Sequence, residues 1–178
     1  MKKLLPLLFA AVFAISAADA PRLSRSLITS VEKRLDDRIQ RMWSDNAMAL
    51  VGSARGVYLP GYGIVFTAEM SLATANVSLM NPTLSDADKV ALHKKKMERL
   101  PLLKSSMKDV LIATAALLDP VPATDKVSIA LILSRYSSED PAGVPLQIVF
   151  EGTKQQLLAA QKAGPAAIDG VVKITESN

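Results

Sequence analysis

The chain reads as an α+β protein: an antiparallel sheet built from two hairpins with helices packed on one face, in the order α-ββ-α-ββ-α. Three observations predict this. Apolar residues alternate with polar ones on either side of turn residues, in VYLPGYGIVF and again in VSIALILSRY and PLQIVFEG. Segments with apolar residues at helical spacing separate and flank these pairs. Hairpins and helices are segregated, with no regular strand–helix alternation, which favours an antiparallel sheet over a parallel one.

The first helix runs from Leu27 to Met42, LITSVEKRLDDRIQRM. Leu27, Val31, Leu35, Ile39 and Met42 share one side, and Glu32, Lys33, Asp36, Asp37 and Arg41 the other. Such an amphipathic helix lies on its own sheet or, in the functional alternative, on a partner. Ser-Asp-Asn at 44–46 ends it.

Met48 to Leu59 and Ile64 to Leu72 form the first hairpin, with Gly52 and Gly56 marking bulges. Pro60, Gly61 and Gly63 between them raise the question of a phosphate-binding loop. Such a loop needs a helix directly after its glycines, so that free amides face the anion. Here a strand follows, and no Walker lysine is present. Pro60-Gly61 instead fits the central positions of a type II turn.

Ser85 with Asp88 opens the longest helix as a capping box. Val90, Met97, Leu100, Leu103, Met107, Val110, Leu111, Thr114 and Leu118 trace its apolar face. Pro101 is expected to kink or split it, and Asp119-Pro120-Val121-Pro122 to end it. Val127 to Tyr136 and the return through Leu146, Ile148 and Phe150 make the second hairpin. Thr153 and Gln156 then cap a short helix that closes at Gly164, and Asp169-Gly170 leads into a final strand over Val171 to Thr175.

Catalytic signals are sparse. Ser105-Ser106-Met107-Lys108 has the S-x-x-K spacing that sets a lysine one helical turn from a serine, so a small exported serine–lysine hydrolase is the enzymatic alternative. Ser30 to Lys33 repeats the spacing, and neither copy is accompanied by S-D-N or K-T-G. His93 is the only histidine, so any histidine relay must use it, and a multi-histidine metal site is excluded. Lys94-Lys95-Lys96 with Arg99 reads as a solvated helix face, or as a contact for anionic lipid or wall polymer. The residues assemble no catalytic constellation, and no cofactor or metal is expected.

The first residues, MKKLLPLLFAAVFAISAADA, have the parts of a secretory signal: Lys2 and Lys3, an apolar core over Leu4 to Ile15, and the small residues Ser16-Ala17-Ala18. Cleavage after Ala18 gives a signal over 1–18 and a mature domain over 19–178. Cleavage after Ala20 would leave Pro21 first. An uncleaved anchor needs about 20 apolar residues, and this run is shorter and contains Pro6. The style is bacterial, and the destination is the periplasm or the medium. Without cysteine there is no disulfide, thiolate site or lipidated cysteine. Without Lys2 and Lys3, 19 basic residues face 17 acidic ones, a balance that calls for no nucleic-acid partner. The expected role is a non-catalytic exported module, not membrane-spanning, that binds a protein or an envelope component through a helix or a sheet edge.

Overall fold

The computed structural model describes residues 23–43, 50–75 and 84–178. The expected signal segment, the Ser-Asp-Asn helix stop and the start of the first strand at Met48 lie outside them. Helix α1 (Arg25–Gln40) begins two residues earlier than its apolar pattern, because the Ser24 hydroxyl accepts the Leu27 amide proton at 3.2 Å. It buries Ile28, Val31, Leu35 and Ile39.

Strands β1 (Leu50–Leu59) and β2 (Gly63–Met70) form the first hairpin. At its turn Tyr62 N–H donates to the Leu59 carbonyl at 3.0 Å, and Gly61 takes φ +79°. These are the marks of the expected type II turn. The register shifts in β1 lie on both sides of Gly52. Gly56 is regularly paired with Phe66, and its missing side chain serves a close approach instead. A Cβ there would lie 2.6 Å from the Phe66 ring and 2.8 Å from Ile28.

The sheet is mixed, which corrects the antiparallel expectation. Its order is β1-β2-β3-β4-β5, and β2 pairs in parallel with β3 (Lys126–Leu133). The cause is helix α2 (Asp86–Ala115), 30 residues long. At 1.5 Å per residue it spans about 45 Å, enough to return the chain to the end of the sheet where β2 began. Lys126 N–H duly donates to the carbonyl of Tyr62, the residue before β2. β4 (Gln147–Thr153) then pairs antiparallel with β3, and β5 (Lys173–Ser177) antiparallel with β4. Between them come α3 (Lys154–Ala163) and a helix the sequence did not suggest, α4 (Pro165–Val171). Proline suits the first position of α4, where its missing N–H costs no hydrogen bond. Asp169-Gly170, read as a turn, belongs to this helix.

Helix α2 passes through Pro101 without splitting. Leu100 and Leu103 on either side are buried, so both turns are held to the core while the proline faces solvent. The N-terminal half of α2 does not follow its expected face. Val90 and Met97 are 69% and 39% exposed, and Leu92, Lys96 and Arg99 turn inward instead.

One core joins α1, α2 and α3 to the sheet face carrying Ile64, Phe66, Ala68 and Met70, Val127, Ile129 and Leu131, and Ile148 and Phe150. The chain leaving α2 is pinned by Lys154, whose buried ammonium donates to the carbonyls of Leu118, Asp119 and Val121 at 2.8, 3.0 and 2.8 Å. Three donors meet three acceptors, so this buried cation carries no unsatisfied proton. Among the described residues, no helix is long and apolar enough to cross a membrane.

Candidate functional site

The serine–lysine spacing does not become a serine–lysine pair. Ser105 is exposed on α2, and the Lys108 ammonium is bound by the Asp169 carboxylate of α4. The Lys108 side chain is thus committed to α4 and not to a serine of its own helix. Ser106 is half-buried and faces α1 across an open hollow with Arg38 and Arg41. His93 is half-buried on α2, 12 positions before Ser105 in the same helix. Twelve residues rise about 18 Å, too far for a relay. No group of three or more metal-ligating side chains gathers among the described residues.

The basic run is not one solvated face. Lys94 is exposed, but Lys96 and Arg99 are buried. The Lys96 ammonium meets Glu139 Oε2 at 2.6 Å and the Ser134 carbonyl at 3.3 Å. The other Glu139 oxygen accepts the Tyr136 amide proton at 3.0 Å. This pair ties the loop between β3 and β4 to α2. Arg99 donates to the Leu72 carbonyl at 2.8 Å, and its guanidinium lies 5.0 Å from the centre of the Trp43 ring. These cations hold loops, so the anionic-surface alternative for this run loses two of its four charges. Their partners are 27 to 56 residues away, and no local spacing announces them.

The surface left open is the second face of the sheet. Register aligns Val57, Val65, Ser128, Glu151 and Lys173 in one row across the five strands. The next row holds Arg55, Thr67, Ala130, Val149 and Thr175. None of these side chains joins the main core cluster, although Ser128 and Ala130 on the middle strand are buried. Val57, Leu59 and Ile132 on this face are 51%, 44% and 47% exposed. The wet face of a sheet normally carries polar residues, and here Val57, Leu59 and Ile132 are exposed aliphatic side chains on it.

At one end of this face Tyr62 lies over Ser128. Its hydroxyl is 3.1 Å from Ser128 Oγ and donates to Glu151 Oε2 at 3.0 Å. Lys126 and Lys173 approach the same carboxylate at 3.3 and 3.5 Å. Burial pushes the Glu151 carboxyl up, but hydrogen bonds from Tyr62 and Lys126 and the charges of Lys126 and Lys173 together hold it below its usual range. Tyr58 behaves oppositely. Its hydroxyl donates to Asp125 Oδ2 at 2.7 Å, and that bond, with burial and the Asp125 charge, pushes it up to about 12. Both groups keep their ordinary charge state at neutral pH, as structural anchors do. The exposed aliphatics were visible in the sequence as strand residues of the polar phase, but only the register shows that they share one surface.

Compared with protein-family models, with curated proteins and with solved structures, the chain matches none.

Proposed function

We propose that the protein is an exported, non-catalytic binding module whose protein partner seats on the open face of the sheet. The observation that carries this reading is the exposed aliphatic set Val57, Leu59 and Ile132 on a face outside the core. Five strands at about 4.8 Å spacing and eight residues at about 3.3 Å give a face of roughly 600 Å². A standard stable interface takes about 800 Å² from each partner. The sheet face alone therefore suits a reversible partner better than an obligate one. Export rests on the basic, apolar and small-residue series of residues 2–18.

Complementation of a deletion strain tests the binding face. Val57→Glu and Ile132→Glu should fold, by circular dichroism, and fail to complement, whereas Gln155→Glu on exposed α3 should complement. Full complementation by both face variants would overturn the reading. Ser105→Ala and His93→Ala should also complement, and a folded failure of either would bring the hydrolase forward. Mass spectrometry of the exported protein should find Asp19 first. A retained Met1 in a membrane fraction would refute export.

A further inference from the structure

Between α1 and α2 runs an open groove that the sheet-face reading does not use. Leu35 and Val110 are buried beneath it, and Arg34, Arg38 and Arg41 stand along one wall. Thr114 and Gln161 lie towards one end, around a hollow of about 340 Å³. A second hollow of about 540 Å³ shares Arg38, Arg41 and Val110 and continues past Met42 to Ser106 and Asp109. The arginines fall at positions i, i+4 and i+7 of one helix, which places them on one side and spreads them over about 10.5 Å of rise.

Most cations of the described chain are taken. Arg25, Lys89, Lys96, Lys104 and Lys108 pair with carboxylates, and Lys154 is bound by carbonyls. Arg34 and Arg38 form no hydrogen bond or ion pair with a described residue, although Asp37 and Asp109 also line the groove. Arg41 donates from Nε to the Asp37 carbonyl at 2.9 Å, which fixes its stem and leaves its terminal nitrogens uncommitted. The three guanidinium groups stand over an apolar floor, and among them only the Arg41 Nε is committed to a partner within the described chain.

We propose that this groove binds phosphate groups presented side by side in a row. One carboxylate has two oxygens and is satisfied by a single guanidinium fork. A row of three forks spread over two helical turns matches repeated anionic groups, each with several acceptor oxygens. Asp37 and Asp109 dilute the field, so recognition depends on the forks and not on bulk charge. The phosphates come from a soluble polyphosphate or phosphodiester, or from phospholipid headgroups, and the chemistry at the arginines is the same.

The test uses the mature chain with inorganic triphosphate, by calorimetry, and with phosphatidylglycerol vesicles, by co-sedimentation. Triphosphate should bind saturably, and Arg34→Ala and Arg38→Ala should each weaken it about tenfold or more. Lys33→Ala, on the same helix but outside the groove, should change it less than about twofold. Binding to vesicles alone, with the same dependence on Arg34 and Arg38, assigns the phosphates to lipid. Two results overturn the proposal: no saturable binding to either probe, or an equal loss with Lys33→Ala, which means diffuse charge. Val57→Glu should leave triphosphate binding intact, so this site and the sheet face fail or stand separately.

Discussion

The Glu32 carboxylate accepts the amide proton of Gly56 at 2.9 Å, from a helix onto the outer edge of the sheet. One turn later Asp36 accepts the amide proton of Ala54 at 2.7 Å. Two residues of strand advance about 6.6 Å and four residues of helix about 6 Å, so the two carboxylates match two successive outward N–H groups. An edge strand presents unpaired donors that invite another chain. Here α1 occupies two of them, at Ala54 and Gly56, so this part of β1 is not a free sheet edge.

Removing these acceptors should destabilise the fold and expose the edge. Glu32→Ala, which leaves a part-buried amide without its partner, should cost about 1–3 kcal/mol in urea unfolding. Glu32→Gln, which keeps a carbonyl oxygen, should cost less. The double variant Glu32→Ala, Asp36→Ala should self-associate in size-exclusion chromatography. A monomeric double variant of wild-type stability would show that the edge is protected by other means.

Gly63 should be less replaceable than Gly61. Both have positive φ, but a Cβ at Gly61 meets nothing within 4 Å, whereas at Gly63 it would lie 2.0 Å from the Lys126 carbonyl oxygen. Gly61→Val should cost on the order of 1 kcal/mol through its backbone conformation. Gly63→Ala must also push β3 away from β2, and thermal unfolding should place it well below Gly61→Val. Equal melting temperatures would refute the steric assignment.

The buried Lys96–Glu139 pair should show strong coupling. Breaking such a pair by removing one partner costs about 3–5 kcal/mol, because the other charge stays buried and unpaired. Lys96→Met and Glu139→Gln should each be strongly destabilising, and the double variant should cost clearly less than their sum. Additive losses in a double-mutant cycle would mean that the two side chains act separately.

Stability should fall at both ends of the pH range, for opposite reasons. Tyr58 is raised from 10.0 to about 12 in the fold, so its contribution is complete below pH 10 and is lost as pH rises through 12. Glu151 is lowered from 4.5, so its contribution is present above 4.5 and is lost as pH falls through the depressed value. Urea midpoints across pH should show Tyr58→Phe losing the alkaline component and Glu151→Gln part of the acidic one. Variant curves parallel to the wild type would contradict these couplings.

What the sequence by itself determined is the local structure. The period-two runs became β2, β3 and β4, Pro60-Gly61 became the turn, and Ser85 and Thr153 became helix caps. Each is dictated by steric preferences and hydrogen bonds among residues close in the chain. What only the tertiary structure decided is everything that depends on which elements become neighbours. Parallel pairing of β2 with β3 follows from where α2 delivers the chain, and period-two alternation is identical for either direction of pairing. The row of arginines was written in α1, but it became a groove only when α2 packed alongside and left Arg34 and Arg38 without partners. Lys96 and Arg99 looked like solvated cations because the groups that receive their hydrogen bonds, Glu139 and the Leu72 carbonyl, come from distant loops. A charge is buried only where a counter-charge or a set of acceptors arrives in space, and distance along the chain carries no record of that meeting.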